Sequence, residues 1–345
     1  MFSVAVLGAT GYVGIEIVRL LQGHPDFKLT FAGSHSFVGK YLSDVYPNFR
    51  GLTDIKCEEF DAGNIPEADF YVTALADDVS KDIIPALIGQ GKRVIDHSGL
   101  FRYKKVEVYE EWYKTKHVLP DLNEKAVYGL PEIHRKEISN ATLVANPGCY
   151  PTCSILALAP LISQKMISTK GIVIDAVSGV SGAGRKTDLP YQFCELDENF
   201  KAYGVATHRH TSEIEQEISM LVNEEVVVSF TPHLAPLKRG MLCTIYADLK
   251  NDFAASELIG LYKDYYKNEF FVRILDEGKL PEVKFVAGSN FIDIGLVVDK
   301  RLNKVIILSA IDNLGKGAAG QAVQVLNILA GLPESTGLAS PGLYI

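Results

Sequence analysis

The chain opens on a six-residue apolar run, FSVAVL over residues 2–7. It passes directly into Gly8-Ala9-Thr10-Gly11-Tyr12-Val13-Gly14 and then into a segment carrying Val13, Ile17, Leu20 and Leu21 at helical spacing. A short continuous apolar run bounded by a turn reads as a buried strand, and the following periodicity reads as an amphipathic helix over 12–22. A strand, a glycine turn and a helix begin a β-α-β unit, and such units stack into a parallel sheet with helices on both faces. The same alternation continues with strands at 27–32, 69–75, 92–96 and 142–145 and a helix at 80–90. The N-terminal half is therefore expected to be a Rossmann-type, doubly wound parallel sheet.

The pattern changes after residue 149. A helix is expected over 151–164, and longer, more alternating strands at 171–178, 225–232, 241–249, 283–287, 291–299 and 304–311, with helices near 212–222 and 254–267. Alternation of this kind suits an α+β domain with a largely antiparallel, mixed sheet. A last helix near 316–331, rich in Ala, Gly and Val, fits as packing for the first domain. The expected organisation is a discontinuous first domain, 1–148 with 314–345, and a second domain over 149–313. A length of 345 residues accommodates two domains of ordinary size.

The glycine turn is where a dinucleotide pyrophosphate meets a helix N-terminus: glycine allows close backbone approach, and free amides with the helix dipole favour the anion. Gly8, Ala9, Thr10, Gly11, Tyr12, Val13 and Gly14 are the expected phosphate-binding residues. An acidic residue after the second strand is the usual partner of the NAD ribose. Here the sequence reads Ala32-Gly33-Ser34-His35-Ser36, with Lys40 nearby and no carboxylate, which favours NADP(H).

Asn146-Pro147-Gly148-Cys149-Tyr150-Pro151-Thr152 follows a strand and precedes a helix. A thiolate at a helix start is stabilised by the dipole and amides, and the carboxyl edge of a parallel sheet is where ligands bind. These features leave Cys149 as either a nucleophile or a buried structural thiol; Cys57, Cys153, Cys194 and Cys243 read as structural. The densest proton-transfer candidate is His208-Arg209-His210-Thr211-Ser212-Glu213, since histidine titrates near neutral pH and arginine grips anions through paired donors. It could also be a solvated helix start. His97, His134 and His233 read as structural. Ser178 to Lys186 (SGVSGAGRK) and Asp312 to Gln321 (DNLGKGAAGQ) are glycine-rich segments after strands, and Asp96 to Arg102 (DHSGLFR) ends another strand.

Five cysteines at irregular spacing, with no zinc-ligand pattern, fit a reduced, cytoplasmic protein without metal. A formal charge of -8 argues against nucleic acid or a membrane surface as partner. The first residues lack the basic n-region of a signal peptide, and no apolar run reaches the ~18 residues of a membrane span.

In combination and in this order, GATGYVG, SGLFR, NPGCYPT, SGVSGAGRK, HRHTSEIEQ and DNLGKGAAGQAVQ resemble the N-acetyl-gamma-glutamyl-phosphate reductase family over nearly the whole chain. NPGCYPT and the HRHTSEIEQ segment are specific to that family; the first and last motifs are shared with aspartate-semialdehyde dehydrogenases. The resemblance implies NADPH-dependent reduction of N-acetyl-glutamyl 5-phosphate to the 5-semialdehyde, with release of phosphate, in arginine biosynthesis. It implies Cys149 as nucleophile, forming a thioester, and His208 as acid/base. Arg102, Arg209 and His210 are expected to bind phosphate or substrate carboxylate, and Ser34, His35, Ser181, Gly182 and Asn313 to join the glycine turn around the cofactor. It further implies a homodimer or homotetramer. His35 departs from the Ser-Arg of many relatives and weakens the 2′-phosphate clamp. The competing readings are a related reductase acting on aspartyl phosphate or carrier-bound aminoadipyl phosphate, and a non-catalytic NADP-sensing protein.

Overall fold

The computed structural model describes residues 1–185 and 187–344, so Lys186, the end of the SGVSGAGRK segment, lies outside the described residues. The chain forms two compact units. The first comprises Met1–Pro147 and Ala318–Ser340, and the second Gly148–Gly317 with the tail from Pro341 onward. The chain thus re-enters the first unit four residues after 314, and the tail leaves it again: Leu343 N–H donates to Ala287 O, 2.6 Å. The sequence pattern, by contrast, assigns 341–345 to the first domain.

The first unit is built on seven strands: β1 (Phe2–Leu7), β2 (Phe27–Gly33), β3 (Cys57–Glu58), β4 (Phe70–Thr73), β5 (Arg93–Asp96), β6 (Val127–Tyr128) and β7 (Leu143–Ala145). Their order is β3-β2-β1-β4-β5-β7-β6, and every pairing is parallel. The strand order reverses between β1 and β4. Ligands of open α/β sheets bind in the crevice at such a switch point, and the glycine turn leaves β1 there. β1, β4, β5 and β7 read as apolar runs because both faces are covered; Val4 to Leu7 are fully buried. Helices at Tyr12–Gln22 and Asp77–Gly89 fall where the periodicity predicts them.

The second unit's sheet contains β8 (Ile172–Gly179), β9 (Lys201–Ala202), β10 (Val228–Ala235), β11 (Met241–Asp248), β12 (Val272–Ile274), β13 (Ile292–Asp299) and β14 (Lys304–Ile311). The order is β12-β13-β14-β11-β8-β10-β9. The central pairs β13–β14, β14–β11 and β11–β8 are antiparallel, whereas β8–β10 and β12–β13 are parallel. The strand expected over 283–287 is instead one helical turn, Val283–Val286. Its apolar residues serve either periodicity. Val283 and Val286 share a face at i, i+3; Val286 is fully buried, and Val283 packs where a Gly240 side chain would stand. The strand expected from 225 starts at Val228.

The helix Cys149–Ser163 is the spine of the second unit, buried from Tyr150 to Ile162. Pro160 lies inside it, and proline has no N–H to give the carbonyl four residues earlier. That carbonyl, Leu156 O, accepts instead from the Tyr266 hydroxyl at 2.6 Å, and Ala157 O accepts from the Tyr262 hydroxyl at 2.6 Å. Tyr266→Phe should therefore orphan a buried acceptor and lower stability by about 1–3 kcal/mol. The check is a lower urea midpoint at unchanged m-value; an unchanged midpoint would mean that Leu156 O is satisfied some other way.

Candidate functional site

At the glycine turn, Gly8 has φ +86°, and a Cβ there would stand 2.4 Å from Ala74 O. A Cβ on Gly14 would stand 2.1 Å from Gly8 O, so only glycine lets the Tyr12–Gln22 helix lie this close to β1. The amides do not all face outward as the sequence suggests. Gly8 and Ala9 N–H donate to Gly33 O, and Gly11 N–H donates to Gly8 O. The donors left for an anion are those of the first helical turn, Tyr12, Val13 and Gly14, which have no acceptor within the helix. This cradle fits a pyrophosphate.

Ser34 is buried, with its hydroxyl 2.8 Å from that of Thr10. Tyr46, which sequence reasoning missed, donates its hydroxyl to Thr10 O at 2.8 Å and braces the same turn. His35 is exposed and stacks on Phe60, with ring centroids 4.5 Å apart. Lys40 is also exposed, 5.9 Å from the Phe37 ring centre. Arg102 belongs to the same unit and is held by a bond from its Nη2 to His97 O, 2.8 Å.

The second unit contains a cavity of about 420 Å³ lined by Cys149, Tyr150, Ser178, Gly182, Lys201, Tyr203, His208, Arg209 and His210 among others. Cys149 is the first residue of its helix and is partly exposed, while Cys153, one turn on, is buried against Ser309. Pro151 falls within the first turn, where the missing N–H costs no helical bond. The preceding Gly148 is required sterically: a Cβ there would stand 2.4 Å from His210 Nε2. Gly148 N–H donates to Glu213 Oε1 at 2.8 Å, and Glu213 is fully buried. Beneath the thiol, a Cβ on Gly317 would stand 2.8 Å from Cys149 Cβ. Gly317 belongs to a wide π-helical turn over Gly315–Ala319, and Asp312 holds its start by accepting from Leu314 and Gly315 N–H.

His208 sits among Tyr150, Tyr203 and Phe230, with ring centroids 5.5–5.7 Å from its own, and its Nδ1 accepts from His210 N–H at 3.2 Å. Burial, reinforced by the neighbouring Arg209 charge, pushes His208 down to about 4. It is a neutral imidazole at pH 7, a base rather than a group half-protonated near neutrality as the sequence reading expects. The Tyr203 hydroxyl donates to that of Tyr150 at 3.2 Å, and burial pushes Tyr203 up to about 12. Asn313 joins two of the glycine-rich loops: its Nδ2 donates to Ser181 Oγ at 2.9 Å and its Oδ1 accepts from Gly240 N–H.

Cys149, His208, Arg209, His210 and Gly182 therefore meet in one cavity, with Ser181 and Asn313 bonded at its margin. Arg102 is not among its lining residues. Sequence reasoning missed Tyr203, and it quoted Glu213 and Tyr150 within their motifs without giving either a role. For Glu213 a signal was present, since it lies three residues after His210 and so on the same helix face.

Two family models match the chain: the semialdehyde dehydrogenase NAD binding domain over residues 3–141 and the semialdehyde dehydrogenase dimerisation domain over 149–313. The N-acetyl-gamma-glutamyl-phosphate reductase of Acetivibrio thermocellus is 67% identical, over 100% of both chains. The chain belongs to the N-acetyl-gamma-glutamyl-phosphate reductase family. Reductases of the same name from Pelotomaculum thermopropionicum and Caldicellulosiruptor saccharolyticus are 51% and 49% identical, over 99% and 100% of each chain. The fold of this reductase family member is shared with aspartate semialdehyde dehydrogenase II of Vibrio cholerae (TM-score 0.74, 19% identity, 96% of this chain and 99% of that one). It is also shared with the Candida albicans aspartate semialdehyde dehydrogenase with NADP (TM-score 0.71, 18% identity, 96% and 98%). Among the described residues no group of three or more His, Cys, Asp or Glu could hold a metal ion, and no helix is long and apolar enough to cross a membrane.

Proposed function

We propose that the protein catalyses the NADPH-dependent reduction of N-acetyl-L-glutamyl 5-phosphate to N-acetyl-L-glutamate 5-semialdehyde, with release of phosphate, in arginine biosynthesis. The observation that carries this reading is the convergence of Cys149, at a helix start, with His208, Arg209 and His210 in one cavity, in a chain 67% identical to a reductase of that name.

Neutral His208 takes the thiol proton of Cys149. The thiolate adds to the acyl-phosphate carbon, and the oxyanion is met by the amides of Cys149 and Tyr150 at the helix start, each worth about 3 kcal/mol in such a setting. Arg209 and His210 hold the phosphate, which leaves as the thioester forms on Cys149. The dinucleotide, when bound, supplies the hydride that turns the thioester into a thiohemiacetal. The proton held by His208 goes to the developing alkoxide. Collapse of the thiohemiacetal then returns the hydroxyl proton to His208, breaks the C–S bond, releases the semialdehyde and regenerates the thiolate. Ser178 and Gly182 shape the same wall of the cavity.

In the first unit Gly8 to Gly14, Ser34 and His35 are proposed to bind NADP(H), and in the second unit Ser181, Gly182 and Asn313 are proposed as cofactor contacts. The buried Thr10–Ser34 hydroxyl pair supports a phosphate-facing turn, and the absence of a carboxylate after β2 supports NADP over NAD. Arg102 is proposed as a further anion contact. In this reading the first unit, Met1–Pro147 with Ala318–Ser340, carries the dinucleotide cradle of the glycine turn, and the second, Gly148–Gly317, carries catalysis and the contacts of a homodimer or homotetramer. Five free cysteines support a cytoplasmic location. The test is NADP⁺ reduction with N-acetyl-L-glutamate 5-semialdehyde and phosphate. NADP⁺ should be preferred to NAD⁺, and aspartate semialdehyde should be a poor substrate; a preference for aspartate semialdehyde would overturn the assignment.

A further inference from the structure

Among the described residues two lysine or arginine side chains line the cavity, Arg209 and Lys201, and only the first belongs to a motif that the sequence singled out. The proposed substrate carries two anionic groups, the 5-phosphate at the reacting carbon and the α-carboxylate at the far end of a five-carbon chain. We propose that Lys201 binds that α-carboxylate, because it ends a cross-strand row whose last three members, Ser178, Leu234 and Lys201, line the cavity. This rests on the reading above.

The row follows from register. On β9, Lys201 lies opposite Leu234 of β10; Leu234 lies opposite Ser178 of β8, and Ser178 opposite Met241 of β11, which pairs with Ile311 of β14. Directly paired residues project to the same face of a sheet. Lys201, Leu234 and Ser178 all line the cavity, so these three neighbours share the face that bears the site. At the near end, Ile311 lies beside Gly317, which abuts Cys149. Lys201 stands two strand spacings beyond Ser178, roughly 10 Å. Leu234, 6% exposed, supplies an apolar stretch between them for the methylene chain.

The lysine is available for a ligand. Its ammonium donates to Pro190 O at 3.4 Å, and it makes no ion pair with any described carboxylate. A half-buried cation facing a cavity with only a carbonyl as partner gains from an anionic ligand. Arg209 cannot serve both anions, since it lies between the two histidines at the start of the His210–Val222 helix, with the His210 ring against Gly148 beside the thiol. That places Arg209 at the phosphate and leaves Lys201 for the carboxylate.

The test is Lys201→Met in the oxidative direction, with N-acetyl-L-glutamate 5-semialdehyde, phosphate and NADP⁺. The KM for the semialdehyde should rise about 10- to 100-fold, the loss expected for a charge-assisted hydrogen bond, while the KM for phosphate stays near the wild-type value. Lys201→Arg should recover most of the loss. With the α-carboxamide of the same semialdehyde, wild type and Lys201→Met should perform alike. A rise in the phosphate KM, or an equal loss on acid and amide, overturns the assignment of Lys201. A wild-type enzyme inert to the semialdehyde sinks the parent reading instead. Calorimetric binding of N-acetyl-L-glutamate to wild type and Lys201→Met then decides the lysine separately, equal affinities counting against it.

Discussion

Replacing Cys149 by serine should lower turnover of the acyl phosphate on the order of 10³-fold or more, with the fold and NADP binding retained. Serine keeps the shape at the first position of the Cys149–Ser163 helix, so Gly148 and Gly317 still close around it. What it loses is chemistry. An alkoxide is far less accessible than a thiolate at pH 7, and an oxygen ester accepts hydride less readily than a thioester and is a poorer leaving group on collapse. The measurement is kcat in either direction, beside nucleotide binding by fluorescence and the far-ultraviolet circular dichroism of both proteins. A variant with near-wild-type kcat would remove the covalent scheme.

The second large effect is expected at His208. His208→Asn should lower kcat by about 10²- to 10⁴-fold, because asparagine can occupy the space among Tyr150, Tyr203 and Phe230 but cannot carry the proton between thiol and alkoxide. The pH profile gives a sharper reading. Burial and Arg209 hold His208 down to about 4, so its neutral, proton-accepting form persists well below the ordinary imidazole range. The acid limb of kcat/KM assigned to His208 should therefore fall near pH 4, with no histidine limb around pH 6.5, and it should vanish in His208→Asn. Stability has the same sign. A histidine depressed in the folded state contributes fully above its unfolded value, and that contribution is lost as pH falls from about 6.5 toward 4. An acid limb at pH 6–7 that disappears in the variant would place the working proton on a histidine in a different environment.

The glycine turn and the cysteine turn were legible in the sequence because both are local. A buried strand, a glycine that no other residue can replace and an amphipathic helix occupy consecutive residues, so the pattern and the structure coincide from Phe2 to Gln22. NPGCYPT likewise encodes its strand-to-helix turn within seven residues. What stayed illegible depends on partners far away in the chain. Nothing near Gly148 announces that its amide is received by Glu213, 65 residues on. Nothing near Pro160 announces that Tyr266, more than 100 residues away, completes its helix. The periodicity of 283–287 is satisfied equally by a strand and by one turn of helix, and packing of Val283 at Gly240 decides it. The helices Val106–Tyr113, Pro120–Lys125 and Pro131–Ser139 escaped because they are short, the last two mostly polar, and the first and third are anchored through single residues such as Tyr109 and Ile138. Likewise, histidine as a residue type suggests titration near neutrality; only the rings around His208 and the charge of Arg209 move it.

The central claim is a thioester on Cys149 that forms and breaks as a discrete intermediate. It is tested most directly by mixing the enzyme with N-acetyl-L-glutamate 5-semialdehyde and NADP⁺ in the absence of phosphate, then reading NADPH by stopped flow and the protein by peptide mass spectrometry. The account predicts a burst of about one NADPH per active site, as acyl-enzyme formation without a second substrate requires. It also predicts an N-acetylglutamyl group on the peptide containing Cys149 and resumed turnover when phosphate is added. No burst, no adduct on Cys149 and NADPH formation only once phosphate is present would contradict it.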